Sequence, residues 1–164
     1  MGWHTSNPNV TVEYKNDLDL TVKFCKLVPE AVTPRYAQDG DAGMDLTATS
    51  FRVADTFIEF GTGIAVEIPK GYVGLLFPRS SITKSAPGVS LKNSVGVIDS
   101  NYRGEILVRF ELPYSAHTGG NIPVVGDKVA QLLVIPYPKV HMEEVEELSN
   151  SNRGQGGFGS TDKK

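Results

Sequence analysis

Asn93-Ser94-Val95-Gly96-Val97-Ile98-Asp99-Ser100-Asn101-Tyr102-Arg103-Gly104-Glu105, running directly into Ile106-Leu107-Val108-Arg109-Phe110-Glu111-Leu112, is the stretch on which the fold reading turns. Val95, Val97 and Ile98 favour extended backbone, and Ser100-Asn101 carries turn chemistry. Ile106, Val108, Phe110 and Leu112 then alternate with Leu107, Arg109 and Glu111, the clearest strand pattern in the chain. The stretch therefore reads as a hairpin: strand, tight polar turn, strand. An acid, Asp99, and an aromatic, Tyr102, sit at its tip, where a rigid scaffold can hold them against a ligand. A plain hairpin with ordinary turn polars fits the same residues, and both readings stay open on this stretch alone.

Further strands follow on either side. Leu20, Val22 and Phe24 alternate with polar neighbours as a half-buried strand. Pro29, Pro34 and Gly40 punctuate a loop that reaches Asp45. Ile64, Val66 and Ile68 form another strand, Tyr72 to Phe77 a short buried one closed by Pro78, and Val129 to Ile135 another after a Gly126-Asp127 turn. Met142, Val145 and Leu148 fall at helical spacing, but Val140 and Met142 continue an alternation, and the reading is strand through Val145. With 17 glycines and 10 prolines in 164 residues, about a sixth of the chain, turns outnumber long helices. The expected class is all-β, a closed sandwich or barrel.

The length suits one domain with a real core. A formal net charge of −3 argues against a general nucleic-acid binder, which needs a basic face for phosphates. A single cysteine, Cys25, excludes an intramolecular disulfide and suits the cytoplasm or another reducing intracellular compartment. No apolar run approaches membrane-spanning length, and the N-terminus lacks the order of a signal peptide. The expected organisation is an extension over residues 1–18, a β-domain over 19–148 and a mobile Gly-rich tail over 149–164. No aliphatic residue occurs from Ser149 onward, so the tail cannot offset its ordering entropy by burial.

Several short stretches could carry chemistry. In the tail, Gly154, Gly156 and Gly159 match a dinucleotide-binding spacing, but no strand-to-helix context can follow so near the last residue. The same tail combines Arg153, bare backbone N–H groups, Ser160, Thr161 and Phe158, which suit phosphate and the face of a base. A disordered Gly-rich end with a stray Phe is the alternative. Pro78-Arg79-Ser80-Ser81 presents a guanidinium and two hydroxyls at a strand end, suited to phosphoryl oxygens, or simply a surface turn. Gln131 lies on an aliphatic strand, so its amide needs a structural partner or a ligand. Asp45, between small and apolar residues, reads as a loop acid capping backbone N–H groups or as a placed carboxylate. His4, His117 and His141 show no ligand spacing, so no protein-held transition-metal site is expected.

Taken together and in order, these stretches resemble the five motifs of the homotrimeric deoxyuridine triphosphatases. They stand as Ala42-Gly43-Met44-Asp45-Leu46, Pro78-Arg79-Ser80-Ser81, residues 93–105, Gly126-Asp127-Lys128-Val129-Ala130-Gln131-Leu132, and Arg153-Gly154-Gln155-Gly156-Gly157-Phe158-Gly159-Ser160. The resemblance runs from about residue 20 to residue 161 and leaves residues 1–18 outside it. It implies a distorted jelly-roll β-barrel that splits dUTP into dUMP and pyrophosphate with Mg²⁺, keeps uracil out of DNA and supplies dUMP for thymidylate synthesis. It implies that Asp99 is the base for the attacking water and that Tyr102 lies under the deoxyribose. Asn93 and the backbone of Gly96, Val97 and Ile98 would read uracil. Arg79, Ser80 and Ser81 would hold phosphates, and Gln131 would contact the α-phosphate region. Asp45 would order waters around Mg²⁺, whose direct ligands would be phosphate oxygens rather than protein atoms. Arg153, Gly157, Gly159, Ser160 and Thr161 would close over the γ-phosphate, with Phe158 on uracil. The resemblance also implies a homotrimer with each site shared among subunits, and neither nucleic-acid nor membrane partners. Met44 and Asn101 depart from the usual pattern without removing a proposed catalytic group. The rival, a deoxycytidine triphosphate deaminase on the same fold, would need its catalytic glutamate near Arg109, and arginine stays protonated. A nucleotide-sensing or partner-binding protein on the fold is the other alternative.

Overall fold

Inward-pointing apolar residues at a period of two force these strands to pair with a second layer. The computed structural model, which describes residues 19–85, 88–111 and 122–156, does so with two antiparallel sheets. In chain order the elements are β1 (Lys23–Lys26), β2 (Met44–Thr47), β3 (Ser50–Val53), β4 (Phe57–Glu67), β5 (Tyr72–Pro78), a single helical turn α1 (Ile82–Ser85), β6 (Ser90–Leu91), β7 (Gly96–Ile98), β8 (Glu105–Glu111) and β9 (Lys128–Pro136). One sheet runs β1-β4-β8-β6, with β3 also on β4; the other runs β2-β9-β5-β7. The all-β jelly-roll expectation holds.

The core forms between the layers. On β8, Ile106, Val108 and Phe110 are fully buried while Leu107, Arg109 and Glu111 face outward, as the alternation predicts. Phe110 meets Phe60 of β4 edge to face, with centroids 6.1 Å apart, and Leu46, Ile58, Ile64, Leu132 and Val129 complete the packing. Each such side chain contributes about 1.5–3 kcal/mol by leaving water. On the outer face, Arg52, Glu59 and Arg109 lie opposite one another across β3, β4 and β8. Both guanidiniums pair with the Glu59 carboxylate and lie over the Phe57 ring. The hydrogen bond from Arg52 comes first among the causes that hold Glu59 below the usual carboxylate range, with Arg109 adding to it against the cost of burial.

Four expectations are corrected. The 93–105 stretch is not a hairpin: β7 pairs with β5 in one sheet and β8 with β4 and β6 in the other, so residues 99–104 cross between layers. Ile98 and Ile106 both turn into the shared core, which a paired hairpin would not allow. Asp45 is not a loop acid but stands in β2, because Met44–Thr47 finds a ladder partner in β9. The first strand begins at Lys23 and is exposed along its length, being an edge of its sheet; the half-buried Leu20 and Val22 precede it. The last strand ends at Pro136, and residues 137–148 form neither strand nor helix, leaving Val140, Met142, Val145 and Leu148 exposed. Proline breaks at 136 and 138 stop the ladder there.

Candidate active site

Sheet register assembles the first half of the site. Asp45 of β2 lies opposite Gln131 of β9, and Gln131 lies opposite Phe77 of β5. Their neighbours Leu46, Ala130 and Leu132 are buried in the core, so by the period of two Asp45, Gln131 and Phe77 share the opposite face. Arg79, one residue beyond β5, folds back so that its Nε lies 2.8 Å from Asp45 Oδ1. Together with Ser80, Ala42, Gly43 and Asp41 these residues line a cleft of about 590 Å³. The Gln131 amide donates a long bond, 3.4 Å, to the Pro78 carbonyl, and its Oε1 sits where a side chain at Gly43 would have to go. Arg79 Nη1 also reaches Ser81 Oγ at 3.4 Å.

Lys128 is a residue that sequence reasoning passed over. It lies within the fourth motif, and its Nζ stands 2.7 Å from Asp45 Oδ2. That oxygen is buried and accepts no hydrogen bond, so the ammonium meets it as an ion pair of poor alignment. Asp45, only 10% exposed, thus holds two cations beside an open cleft. Lys128 opens β9, the strand that carries Gln131, and lines a second cleft with Arg79 and Ser81 on the other side of the Asp45 carboxylate.

The second half is the corner between the sheets. The Tyr102 N–H donates to the Asp99 carbonyl at 3.0 Å and closes the turn. Arg103 Nη1 donates to the carbonyls of Ser100 and Tyr102 at 2.8 and 2.7 Å, and the Tyr102 hydroxyl donates to the Glu105 carbonyl at 2.9 Å. Asn93, Gly96, Val97, Ile98 and Tyr102 line a smaller pocket of about 210 Å³. Asp99 stands exposed at the corner. This pocket has no lining residue in common with the larger cleft. Within one chain the structure therefore joins Asp45, Arg79, Ser80 and Gln131, and separately Asn93, Gly96, Val97, Ile98 and Tyr102. Arg153 is exposed, with its Nε donating to the Gly156 carbonyl at 2.8 Å. Gly157, Phe158, Gly159, Ser160 and Thr161 lie outside the described residues, as does the 1–18 extension.

A jelly roll with a guanidinium, hydroxyls and an amide around one cleft, and an aromatic-walled pocket at a sheet corner, defines a small β-protein equipped for an anionic ligand with a flat, apolar part. The dUTPase family model matches residues 29–162. The deoxyuridine 5'-triphosphate nucleotidohydrolase of Cutibacterium acnes is 43% identical over 143 residues, covering 82% of this chain and 87% of that protein. The enzyme of the same name from Clostridium tetani is 41% identical, over 88% of this chain and 99% of its own. Among solved structures, a variant Staphylococcus bacteriophage 80alpha dUTPase with dUpNHpp superimposes with a TM-score of 0.71 at 25% identity, over 86% of this chain and 98% of that one. A variant dUTPase of phage phi11 of S. aureus, described for its coordination of a structural Mg(II) ion, gives 0.65 at 25% identity, over 78% of this chain and 98% of that one. The chain belongs to the dUTPase family.

Proposed function

We propose that this protein hydrolyses dUTP to dUMP and pyrophosphate, the activity of a dUTP diphosphatase. The single observation that carries the reading beyond family membership is the register-built cleft in which Asp45, Arg79 and Gln131 converge. A triphosphate needs several convergent N–H and O–H donors, and Arg79, Ser80, Ser81 and the Gln131 amide supply that chemistry. Before substrate arrives Arg79 is neutralised by Asp45; phosphate oxygens then compete for the same guanidinium.

Asp99 acts as the general base that takes a proton from water attacking the α-phosphate, an effect worth about 10²–10⁴-fold. Tyr102 packs under the deoxyribose and leaves no room for a 2′-hydroxyl. Asn93, with the backbone of Gly96, Val97 and Ile98, reads uracil at its hydrogen-bonding edge. The residues also fit a Mg²⁺ that arrives on the triphosphate. Asp45 would order waters around such an ion once Arg79 and Lys128, which now face its two oxygens at 2.8 and 2.7 Å, turn to the phosphates. Among the described residues no three His, Cys, Asp or Glu side chains are grouped to cage a bare ion. When bound, the cation neutralises charge building on the phosphate oxygens.

The separation of the two pockets supports a site completed between copies, a homotrimer in which the corner of one chain faces the cleft of another. Arg153, Gly157, Phe158, Gly159, Ser160 and Thr161 then close over the nucleotide as a tail (149–164) on the 19–148 domain, with residues 1–18 as an extension. The setting proposed is the cytoplasm or another reducing intracellular compartment; among the described residues no helix is long and apolar enough to cross a membrane. No observation favours a deaminase, since Arg109 is engaged by Glu59 on the outer sheet face.

Pyrophosphate release with Mg²⁺ from dUTP, UTP, dTTP and dCTP in parallel tests the reading. The expected result is turnover of dUTP alone at a substantial rate; ammonia from dCTP, or equal turnover of all four, refutes it.

A further inference from the structure

We propose that Glu105 is a positioning residue that sets how tightly the enzyme distinguishes deoxyribose from ribose. This rests on the reading of Tyr102 as the sugar wall given above. Glu105 is tied at both ends. Its carbonyl accepts the Tyr102 hydroxyl at 2.9 Å, while its carboxylate Oε1 accepts the Gly63 N–H at 2.7 Å in the other direction, on β4.

The second contact lies in an irregularity of the sheet. Along β4 and β8 the pairing jumps from Gly61↔Leu107 to Ala65↔Glu105, so Thr62, Gly63 and Ile64 oppose Ile106 alone. Such a bulge leaves backbone donors without ladder partners, and a donor with no partner away from water is costly. Two side chains answer for them. Thr62 Oγ1 accepts from the Ile64 N–H at 3.3 Å and donates to the Ile106 carbonyl at 2.8 Å. Glu105 takes the Gly63 N–H, a charge-assisted bond stronger than a neutral one. Gly63 has φ +64°, and its carbonyl accepts the Leu27 N–H at 2.8 Å, so the bulge is held on both sides.

The carboxylate of Glu105 is thereby fixed to the bulge of the large sheet and adds a second hold on the backbone at 105, which also pairs with Ala65 across the ladder. Gly104 completes the linkage. A Cβ at that position would overlap the Tyr102 hydroxyl, and the ring lies across this bare stretch of chain to reach the Glu105 carbonyl. Tyr102 is 41% exposed; its backbone is held by the Asp99 carbonyl and by Arg103, and the Glu105 carbonyl is the hydrogen-bond partner of its hydroxyl. The Glu105 side chain thus refers the far end of the Tyr102 ring to the β4 bulge, beside the ladder pair that holds its own backbone. Steric exclusion of a single hydroxyl depends on sub-ångström placement, so a loosened anchor costs selectivity before it costs chemistry.

The test uses the full chain and steady-state kcat and KM for dUTP and UTP, with a thermal melt of each variant. Glu105→Ala is expected to lower the dUTP-over-UTP ratio of kcat/KM by about tenfold, mainly through KM. Glu105→Gln, which keeps an Oε1 acceptor, is expected to restore the ratio to within about threefold of the parent. Tyr102→Phe cuts the other end of the tie at an exposed position and is expected to lower the ratio as Glu105→Ala does. An equal loss on both nucleotides with the ratio unchanged assigns Glu105 a purely structural role and overturns the proposal. If Glu105→Ala does not fold, an unchanged ratio in Tyr102→Phe overturns it instead. A parent enzyme that already hydrolyses dUTP and UTP equally well refutes the sugar-reading role of Tyr102. A parent that discriminates, with variants that discriminate equally, refutes Glu105 alone.

Discussion

Gly43→Ala is the substitution whose consequence the geometry defines most closely. Gly43 immediately precedes β2, and a Cβ built there would stand 2.7 Å from Gln131 Oε1, 3.2 Å from Gln131 Cβ and 3.1 Å from Leu133 Cδ1. Ordinary van der Waals contact begins at 3.4 Å, so the amide oxygen must retreat by about 0.7 Å. The far end of a glutamine could swing away at little cost, but its Cβ cannot, because β9 is held between β2 and β5. The added methyl therefore pushes both the amide and the strand that carries it. Overpacking of this kind costs about 1–3 kcal/mol, a fall in melting temperature of several degrees for a chain of this size. The Gln131 bond to Pro78 is already long at 3.4 Å and will not survive the shift. Displacement on this scale of the group proposed to contact the α-phosphate is worth about 10–100-fold in turnover. The assay is pyrophosphate release from dUTP beside a thermal melt. Turnover within about twofold of the parent would refute the claim that Gly43 exists to seat the Gln131 amide.

Asp99→Asn is expected to bind dUTP with nearly unchanged affinity while kcat falls by about 10²–10⁴-fold; near-normal turnover, measured beside calorimetric binding, removes Asp99 as the base. A chain truncated after Ser149 is expected to melt like the parent and to lose most activity, and full activity would leave the tail without a catalytic part. Glu59→Gln is expected to destabilise the fold by about 1–2 kcal/mol at neutral pH, two charge-assisted bonds being weakened at partly solvated arginines. Because Glu59 is held below the usual carboxylate range, its contribution is complete above the unfolded value of about 4.3 and fades as pH falls through the folded one. The gap between variant and parent should close in acid; a denaturant series showing a gap that widens below pH 4 would contradict this.

What was legible in the sequence was local. Ile106, Val108 and Phe110 announce a strand with one dry face because alternation needs no knowledge of a partner. The short motifs at 42–46, 78–81 and 126–132 are legible for the same reason, each by its own residues. Pairing is not local. Nothing in Asn93–Glu105 says that its two extended arms belong to different sheets, since both a hairpin and a corner begin with β-formers and a polar turn. Met44–Thr47 reads as loop because four mixed residues become a strand only beside β9. Val140 to Val145 alternates yet forms no ladder among the described residues, an apolar pattern left exposed in one chain. Lys128 and Glu105 have no local pattern that assigns them a role, because each matters through a neighbour 83 or 42 positions away, Asp45 and Gly63 respectively.

The two halves of the site are secured by different physics. Asp45 and Gln131 face the cleft because Leu46, Ala130 and Leu132 face the core. A one-residue slip of β2 on β9 would bury a carboxylate and expose Leu46, so the hydrophobic pattern enforces the register of the polar residues. The spacing of Asp45 and Gln131 is in that sense a by-product of core packing, and Arg79 is then drawn in by its ion pair with Asp45. The corner has no such support. Asp99 and Tyr102 lie beyond the ladders, and their geometry depends on the hydrogen bonds of Arg103, Tyr102 and Glu105 and on the β4 bulge behind them. Damage to the core should therefore disturb the cleft and the fold together, whereas damage to these few polar ties should disturb selectivity while the fold stands.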